Sequence, residues 1–349
     1  MNNRILKFAI AFYILQTFLI QHNNCNATVL VKIHDRKANG VVINLKDSLT
    51  NYNSQKNVQE KSISFLTFNA GLLRIKLLGI TILENPPYIE ERLKELPKQL
   101  KKIDADIIAL QEVWAEKHKK YLIDSLKDTY PFYAYFSEKS FNKHQNGEIF
   151  FSKFPIDESC YNEFNNTSID EKHFVSQGIL SIKFTTKQFG EISCFDTHTT
   201  AGGALKHPEA RKTDDIRDLQ IRQMLELSKN SNGITVLMGD LNAGPGVSEQ
   251  NYRSILQAGY DDTYLVGNSN TEDCVKCTWD PRNPLNSDGP HKTSPPQRID
   301  HIFIPEKILE KFVITDAKVV FEDFSVKVEN IKLITLSDHY GVFIKITCK

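Results

Sequence analysis

Six times along this chain an apolar, strand-like run meets polar residues that chemistry can use. The run Val236-Leu237-Met238 passes through Gly239 and delivers Asp240 and Asn242 before Gly244 and Pro245 break the backbone. A short apolar run closed by glycine and proline predicts a buried strand with an abrupt end. Side chains two apart on an extended chain share a face, so Asp240 and Asn242 are expected to point together. The same pattern places Asn69 after Ile63–Phe68, Glu112 after Ile107–Leu110 and His198 after Ile192–Phe195. Asp300 heads the run Ile302-Phe303-Ile304, and Asp338-His339 stands between the last two strand-like segments. A lone Asn or His after a strand is usually a turn former. Recurrence of residue types that hold a hard metal or move protons predicts instead that these ends meet in one site.

The connecting segments constrain the architecture. Leu93, Leu96, Leu100 and Ile103 recur at helical spacing across Glu90–Ile103, with Pro97 expected to kink or divide that helix. Further helices are expected over 116–127 and 216–227, and further strands over 132–136, 148–151 and 178–184, with a turn at Gln145-Asn146-Gly147. Strands alternating with helices, followed by strand-rich segments, predict an α/β sandwich rather than a single parallel sheet. Residues 72–83 are unusually apolar for a loop. They are expected in the core, the alternative being a lipid-facing loop with Arg74 and Lys76 toward headgroups. The stretch from Asp280 to Gln297 is rich in Pro, Asn and Ser and reads as a long ordered loop.

Composition matters at two points. A formal net charge of zero over 349 residues weakens a nucleic-acid-binding reading without removing it, because local patches survive a neutral total. Arg4 and Lys7 precede an apolar run over Phe8–Ile20, with small residues at Cys25 and Ala27, which predicts a secretory signal peptide over 1–27 and a secreted, extracellular protein, the alternative being an uncleaved membrane anchor. Residues 28–61 are expected to form an extension or linker, with a strand at Thr28–Ile33, ahead of a catalytic domain over 62–349. Secretion favours disulfides. Cys274 and Cys277 are expected to close a small loop, and Cys160 with Cys194 is a second possible pair.

The ordered set Phe68-Asn69, Leu110-Gln111-Glu112-Val113-Trp114, Asn146-Gly147 through Ser152-Lys153-Phe154-Pro155, Asp196-Thr197-His198, Gly239-Asp240-Leu241-Asn242, Arg298-Ile299-Asp300 and Ser337-Asp338-His339 resembles the motifs of the endonuclease/exonuclease/phosphatase (DNase I-like) superfamily. The resemblance spans residues 62–349. It implies a four-layer α/β/β/α sandwich of two packed mixed sheets, and cleavage of phosphate esters with Mg²⁺, Mn²⁺ or another divalent ion. Within the superfamily, the Leu-Gln-Glu-Val-Trp, Ser-Lys-Phe-Pro and Asp-Thr-His segments are similar to those of secreted neutral sphingomyelinases. The loop after His198 departs from their pattern, because no Asp stands five residues before Lys206.

Hydrolysis needs an activated water, charge stabilisation at phosphorus and help for the leaving oxygen. Glu112 is the expected primary Mg²⁺ ligand, assisted by Asn69, with Asp338 as a further metal or water ligand. His339 is the expected general base and Asp300 the carboxylate that orients it. His198 and Asn242 are expected to donate hydrogen bonds to the developing phosphorane. Asp240 either positions the water or assists the leaving group. His301 follows Asp300 and should face the other side of its strand, and His207 and His291 lie in loops, so none of the three is assigned a role. Trp114 and Trp279 could stack on a choline headgroup.

The leading expectation is a phospholipid-headgroup phosphodiesterase of the sphingomyelinase type, acting peripherally at a membrane surface. The alternatives are a secreted DNase I-like endonuclease acting on nucleic acid, and an inactive binding or toxin subunit on the same fold. No protein partner is inferred.

Overall fold

A computed structural model describes residues 41–43, 61–77, 80–137, 146–168, 176–201, 210–268, 276–287, 292–329 and 332–349. The leader, Thr28–Ile33, His207, Cys274, His291 and most of the loop after His198 lie outside them.

The chain opens with β1 (Val41–Ile43), β2 (Ser62–Asn69), β3 (Leu73–Leu77) and β4 (Ile80–Asn85), then α1 (Ile89–Ile103), β5 (Ile107–Gln111) and α2 (Glu116–Leu126). Five strands follow: β6 (Phe132–Phe136), β7 (Ile149–Ser152), β8 (Glu158–Glu163), β9 (Gly178–Thr186) and β10 (Gly190–His198). Next come α3 (Ala210–Ser228), β11 (Ile234–Asp240), α4 (Glu249–Gln257), β12 (Tyr260–Asp262) and α5 (Thr263–Gly267). The chain closes with β13 (Asp300–Pro305), β14 (Phe312–Val320), β15 (Val326–Val328), β16 (Lys332–Ile334) and β17 (Gly341–Cys348).

Two mixed sheets result. The first has seven strands in the order β1-β6-β7-β5-β2-β17-β14, the second six in the order β12-β13-β11-β10-β9-β8. Central strands such as β2, β5 and β11 are buried on both faces, and alternation sorts their side chains between two cores. Along β2, Ile63 and Phe65 face the second sheet, while Leu66 and Phe68 face the helix layer with Leu93, Leu96 and Leu100 of α1 and Leu122 and Leu126 of α2. Along β11, Val236 and Met238 join the inner core, while Leu237 packs with Ile221 and Met224 of α3 and Ile255 of α4. The order helix, sheet, sheet, helix is the sandwich the sequence predicts.

Three expectations change. Pro97 sits inside α1 without dividing it. It forfeits one helical hydrogen bond, but the buried row Leu93, Leu96, Leu100 holds the helix on its sheet on both sides of the proline. Residues 73–85 form an antiparallel two-stranded ribbon, β3 with β4, rather than a loop, and Arg74 is held by Glu84 (2.9 Å) and Glu90 (2.5 Å). Cys160 and Cys194 are both free, so that pairing is absent. Cys277 is disulfide-bonded. Within the N-terminal extension Val41–Ile43 pairs with β6, while the strand expected at Thr28–Ile33 lies outside the described residues. Among the described residues no helix is long and apolar enough to cross a membrane.

Candidate active site

The inner faces of the strands are apolar along most of their length and turn polar at one end. Strand register explains why the polar residues meet. In the second sheet β10 pairs with β11 and β11 with β13, which sets His198 beside Asp240 and Asp240 beside Asp300 in one row. In the first sheet β2 pairs with β5, which sets Asn69 beside Gln111. Asp240 follows Met238 on the inner face, and Asp300 shares that face with Ile302 and Ile304.

The rows from the two sheets are joined by hydrogen bonds. Asn69 Nδ2 donates to Glu112 Oε1 (3.0 Å) and to Asp240 Oδ2 (3.0 Å), while its carbonyl oxygen accepts from the Gly71 amide (3.0 Å). Asp240 Oδ1 accepts from the Asn242 amide (2.9 Å). Asn242 Nδ2 donates to Thr199 O (2.9 Å), which ties the end of β11 to the residue after His198. His198 Nε2 lies 3.6 Å from Asp240 Oδ2, with the Trp114 ring 6.4 Å away. The turn before β17 supplies the last pieces. His339 Nδ1 donates to Asp300 Oδ2 (2.9 Å) and lies 3.7 Å from Asp240 Oδ2. Asp338 turns away from its neighbour and accepts from Ser337 Oγ (3.0 Å).

Glu112 reaches this site only through its backbone. It follows the inward-facing Gln111, so strict alternation would turn it outward. Instead it adopts φ 59°, in the left-handed region, and the chain swings its carboxylate to Asn69. The turn at Gly147 packs directly on this residue, where an added Cβ would stand 3.1 Å from the Glu112 nitrogen.

Charge is unevenly distributed. Burial opposes a charged His339, but Asp300 and Asp240 outweigh it and hold the imidazole well above its usual range. Burial raises the Asp300 carboxyl, with His339 opposing. Burial pushes Asp240 upward too, yet His339, His198 and the Asn69 and Asn242 hydrogen bonds prevail and hold it below the usual carboxylate range. Burial raises Glu112, and the nearby Asp338 charge adds to the rise. Glu112 and Asp338 each offer a hard carboxylate oxygen, and a nearby cation would offset the burial that, with the Asp338 charge adding, disfavours the charged Glu112. A second set, Asp240, Asp300 and His339, has ligand atoms within 4.8 Å of one another. Within that set only Asp300 and His339 are hydrogen-bonded to each other, while Asp240 is held by Asn69 and the Asn242 backbone amide.

Trp279 pairs by backbone with His339 at the rim, half-buried, and Trp114 is buried. Several contributors are not evident from the sequence pattern. Gln111 Nε2 donates to Asp196 Oδ1 across the sheets (2.6 Å). Burial pushes the Glu148 carboxyl up to about 7, and that carboxyl accepts the His198 backbone N–H. Within the Pro- and Asn-rich loop, Asn283 Nδ2 donates to Ser337 O (2.9 Å) and Asn286 Nδ2 to Asp338 O (2.9 Å), flanking the His339 turn. The only local signal for these is an amide density that ordinary turns also show.

Comparison with known proteins follows the same lines. Over 279 residues the chain is 23% identical to a protein named Sphingomyelinase C 2 of Leptospira interrogans, covering 74% of this chain but 42% of that relative's length. A Staphylococcus aureus beta toxin variant with bound magnesium ions superposes with TM-score 0.60 at 16% identity, covering 82% of this chain and 100% of the other. The D. rerio protein TDP2, complexed with a single-strand DNA product, superposes with TM-score 0.60 at 19% identity, over 82% and 100% of the two chains. At these identities the structural likeness establishes fold. The family model described as "Endonuclease/Exonuclease/phosphatase family" matches residues 66–339, and the chain belongs to that family.

Proposed function

We propose that this chain is a divalent-metal-dependent phosphodiesterase that cleaves a phospholipid headgroup, with sphingomyelin hydrolysed to ceramide and phosphocholine. The observation that carries the reading is the Asn69 amide, which joins Glu112 of one sheet to Asp240 of the other, beside the Asp300–His339 pair. The named sphingomyelinase relative supports the lipid substrate, and the magnesium-bound neighbour supports the choice of ion. Glu112 and Asp338 would hold the cation, with Asn69 fixing Glu112 from behind; when bound, the cation supplies positive charge against the phosphoryl oxygens.

The remaining roles follow from the chain's own atoms. Asp300 fixes the His339 tautomer by accepting from Nδ1, which leaves Nε2 to take the proton of the attacking water. Asp300 and Asp240 favour the protonated ring, so base action at neutral pH depends on extra positive charge nearby. Asp240, held ionised, is suited to orient the water rather than to donate a proton. His198 and the second N–H of Asn242 would donate to phosphoryl oxygens. Water adds at phosphorus as His339 takes one of its protons, the bond from phosphorus to the ceramide oxygen breaks, and that oxygen takes up a proton that solvent relays from His339.

The neighbour bound to a DNA product gives a nuclease reading its support. Purified protein with Mg²⁺ is to be assayed in parallel on labelled sphingomyelin, other phosphocholine lipids and plasmid DNA. Phosphocholine release is expected, and DNA cleavage with every lipid untouched would replace the lipid reading with the nuclease one.

A further inference from the structure

Arg92 lies on the buried face of α1, among leucines, with 1% of its surface exposed. Its guanidinium meets five backbone carbonyls. Nε donates to Pro87 O (2.9 Å), Nη1 to Ala70 O (2.9 Å) and Leu336 O (3.1 Å), and Nη2 to Gly71 O (2.6 Å) and Pro86 O (2.9 Å). These bonds engage the whole donor fork. A helix that needs only to sit on its sheet would be served here by another apolar side chain, at no desolvation cost. The guanidinium does something an apolar side chain cannot.

The carbonyls it gathers belong to the cation side of the site. Ala70 and Gly71 directly follow Asn69, and Leu336 precedes Ser337 and Asp338. Pro86 and Pro87 close the β3–β4 ribbon over the same turn. The two site-bearing turns also touch each other. A Cβ built on Gly71, whose φ is +56°, would stand 2.5 Å from Asp338 Oδ1 and 2.9 Å from Ser337 Oγ. The Gly71 amide in turn fixes the Asn69 carboxamide, whose other end holds Glu112. The positions of Asp338 and Glu112 relative to one another therefore run through backbone that Arg92 cross-links. Asp338 and Glu112 also act on the guanidinium through their charge.

We propose that Arg92 is a positioning residue for divalent-cation binding: it clamps the Ala70-Gly71 turn to the Leu336–Asp338 turn and so sets the spacing of Glu112 and Asp338. This rests on the cation role proposed above for those two carboxylates. The test uses the full chain and Mg²⁺ itself, measured by isothermal titration calorimetry, with near-ultraviolet circular dichroism and melting temperature reporting the fold. Arg92→Met is expected to raise the Mg²⁺ dissociation constant about tenfold, the size seen when supporting partners of metal ligands are removed. Arg92→Lys keeps the charge but loses the planar fork, and should fall between the two. With a chromogenic phosphodiester, the Mg²⁺ concentration for half-maximal rate should rise more than kcat falls. A merely structural role would lower the melting temperature and leave the dissociation constant alone. An unchanged constant in folded Arg92→Met, or in Arg92→Lys should the Met variant not fold, overturns the assignment. Wild-type protein that binds neither Mg²⁺ nor Mn²⁺ would instead overturn the cation reading, and this assignment with it.

Discussion

Strand β13 carries two histidine–carboxylate pairs on opposite faces, and their difference separates chemistry from support. On the inner face Asp300 bonds His339 at 2.9 Å; on the outer face His301 lies 3.0 Å from Asp262. By distance and burial the pairs are near twins. Their surroundings are not. His301 is 0% exposed and bonded at both nitrogens, with Nε2 at Ala243 O (3.0 Å) and Nδ1 also beside Arg298 Nη1 (3.0 Å). Arg298 pairs with the Asp262 carboxylate, which also accepts from the Tyr252 hydroxyl (3.0 Å). That cluster holds an internal Arg298–Asp262 ion pair and leaves neither His301 ring nitrogen open. His339 is 7% exposed, faces two carboxylates without a guanidinium, and its Nε2 has no hydrogen-bond partner among the described residues. A histidine–carboxylate pair becomes reactive when it is left unfinished, with one nitrogen open and charge unbalanced.

The comparison can be broken most sharply at His339. His339→Ala is expected to cut turnover of sphingomyelin, or of a chromogenic diester, by about 10⁴-fold with little change in melting temperature; near-normal turnover would remove the imidazole from the chemistry. Asp300→Asn should cost about 10³-fold. It also removes the strongest charge holding the imidazole up, so the His339 pKa, followed by NMR of the ring, should drop and the ring become neutral at lower pH. A pKa that stays put would mean the pair is not coupled as described.

The closed cluster should respond in stability rather than rate. Asp262→Asn leaves Arg298 buried beside an uncharged partner and is expected to cost about 3 kcal/mol in urea denaturation, with turnover less affected than in either inner-face variant. Burial works against the Asp262 charge, but Arg298 and His301 prevail and hold the carboxyl far below the usual range. A depressed carboxyl stabilises above its unfolded value of about 3.9 and loses that contribution as pH falls further. The gap between wild type and Asp262→Asn should therefore narrow below about pH 4; a gap constant with pH would contradict the ionised pair.

The smallest effect belongs to a third buried histidine, outside both clusters. His118 has no hydrogen bond at either ring nitrogen among the described residues, and burial, with Lys117 beside it, pushes its imidazole down to about 4. The unfolded chain takes up this proton near pH 6.5 and the folded chain does not, so stability should be lost as pH falls from about 6.5 toward 4. His118→Leu is expected to flatten the melting temperature over that window by several degrees, roughly the scale of a 2 kcal/mol change. An identical slope in wild type and variant would refute the assignment.

Much of the fold and of the site is legible in the residues alone. Alternation on an extended chain assigns faces locally, which is why spacing sends Asp300 and His301 to opposite sides of β13. The order of strands, helices and polar strand ends indicates a sandwich and the set of residues that could gather at one end of it. Spacing does not show that Glu112 turns inward, because a left-handed backbone at that residue overrides alternation. Nor does it show Pro97 tolerated inside α1, where packing outweighs a lost hydrogen bond.

Arg92 is equally hidden, since in sequence it is one more charged residue on an amphipathic helix. The sequence by itself determined which residues could share a face and which chemistry those residue types allow. Only the tertiary structure decided which of them touch, since the Asn69–Asp240 contact and the Arg92 clamp each join segments far apart in the chain. The physical reason is that a side chain's face is set by the dihedral angles of its own segment, whereas its distance to a partner on another sheet is set by how the two sheets pack on the core they share.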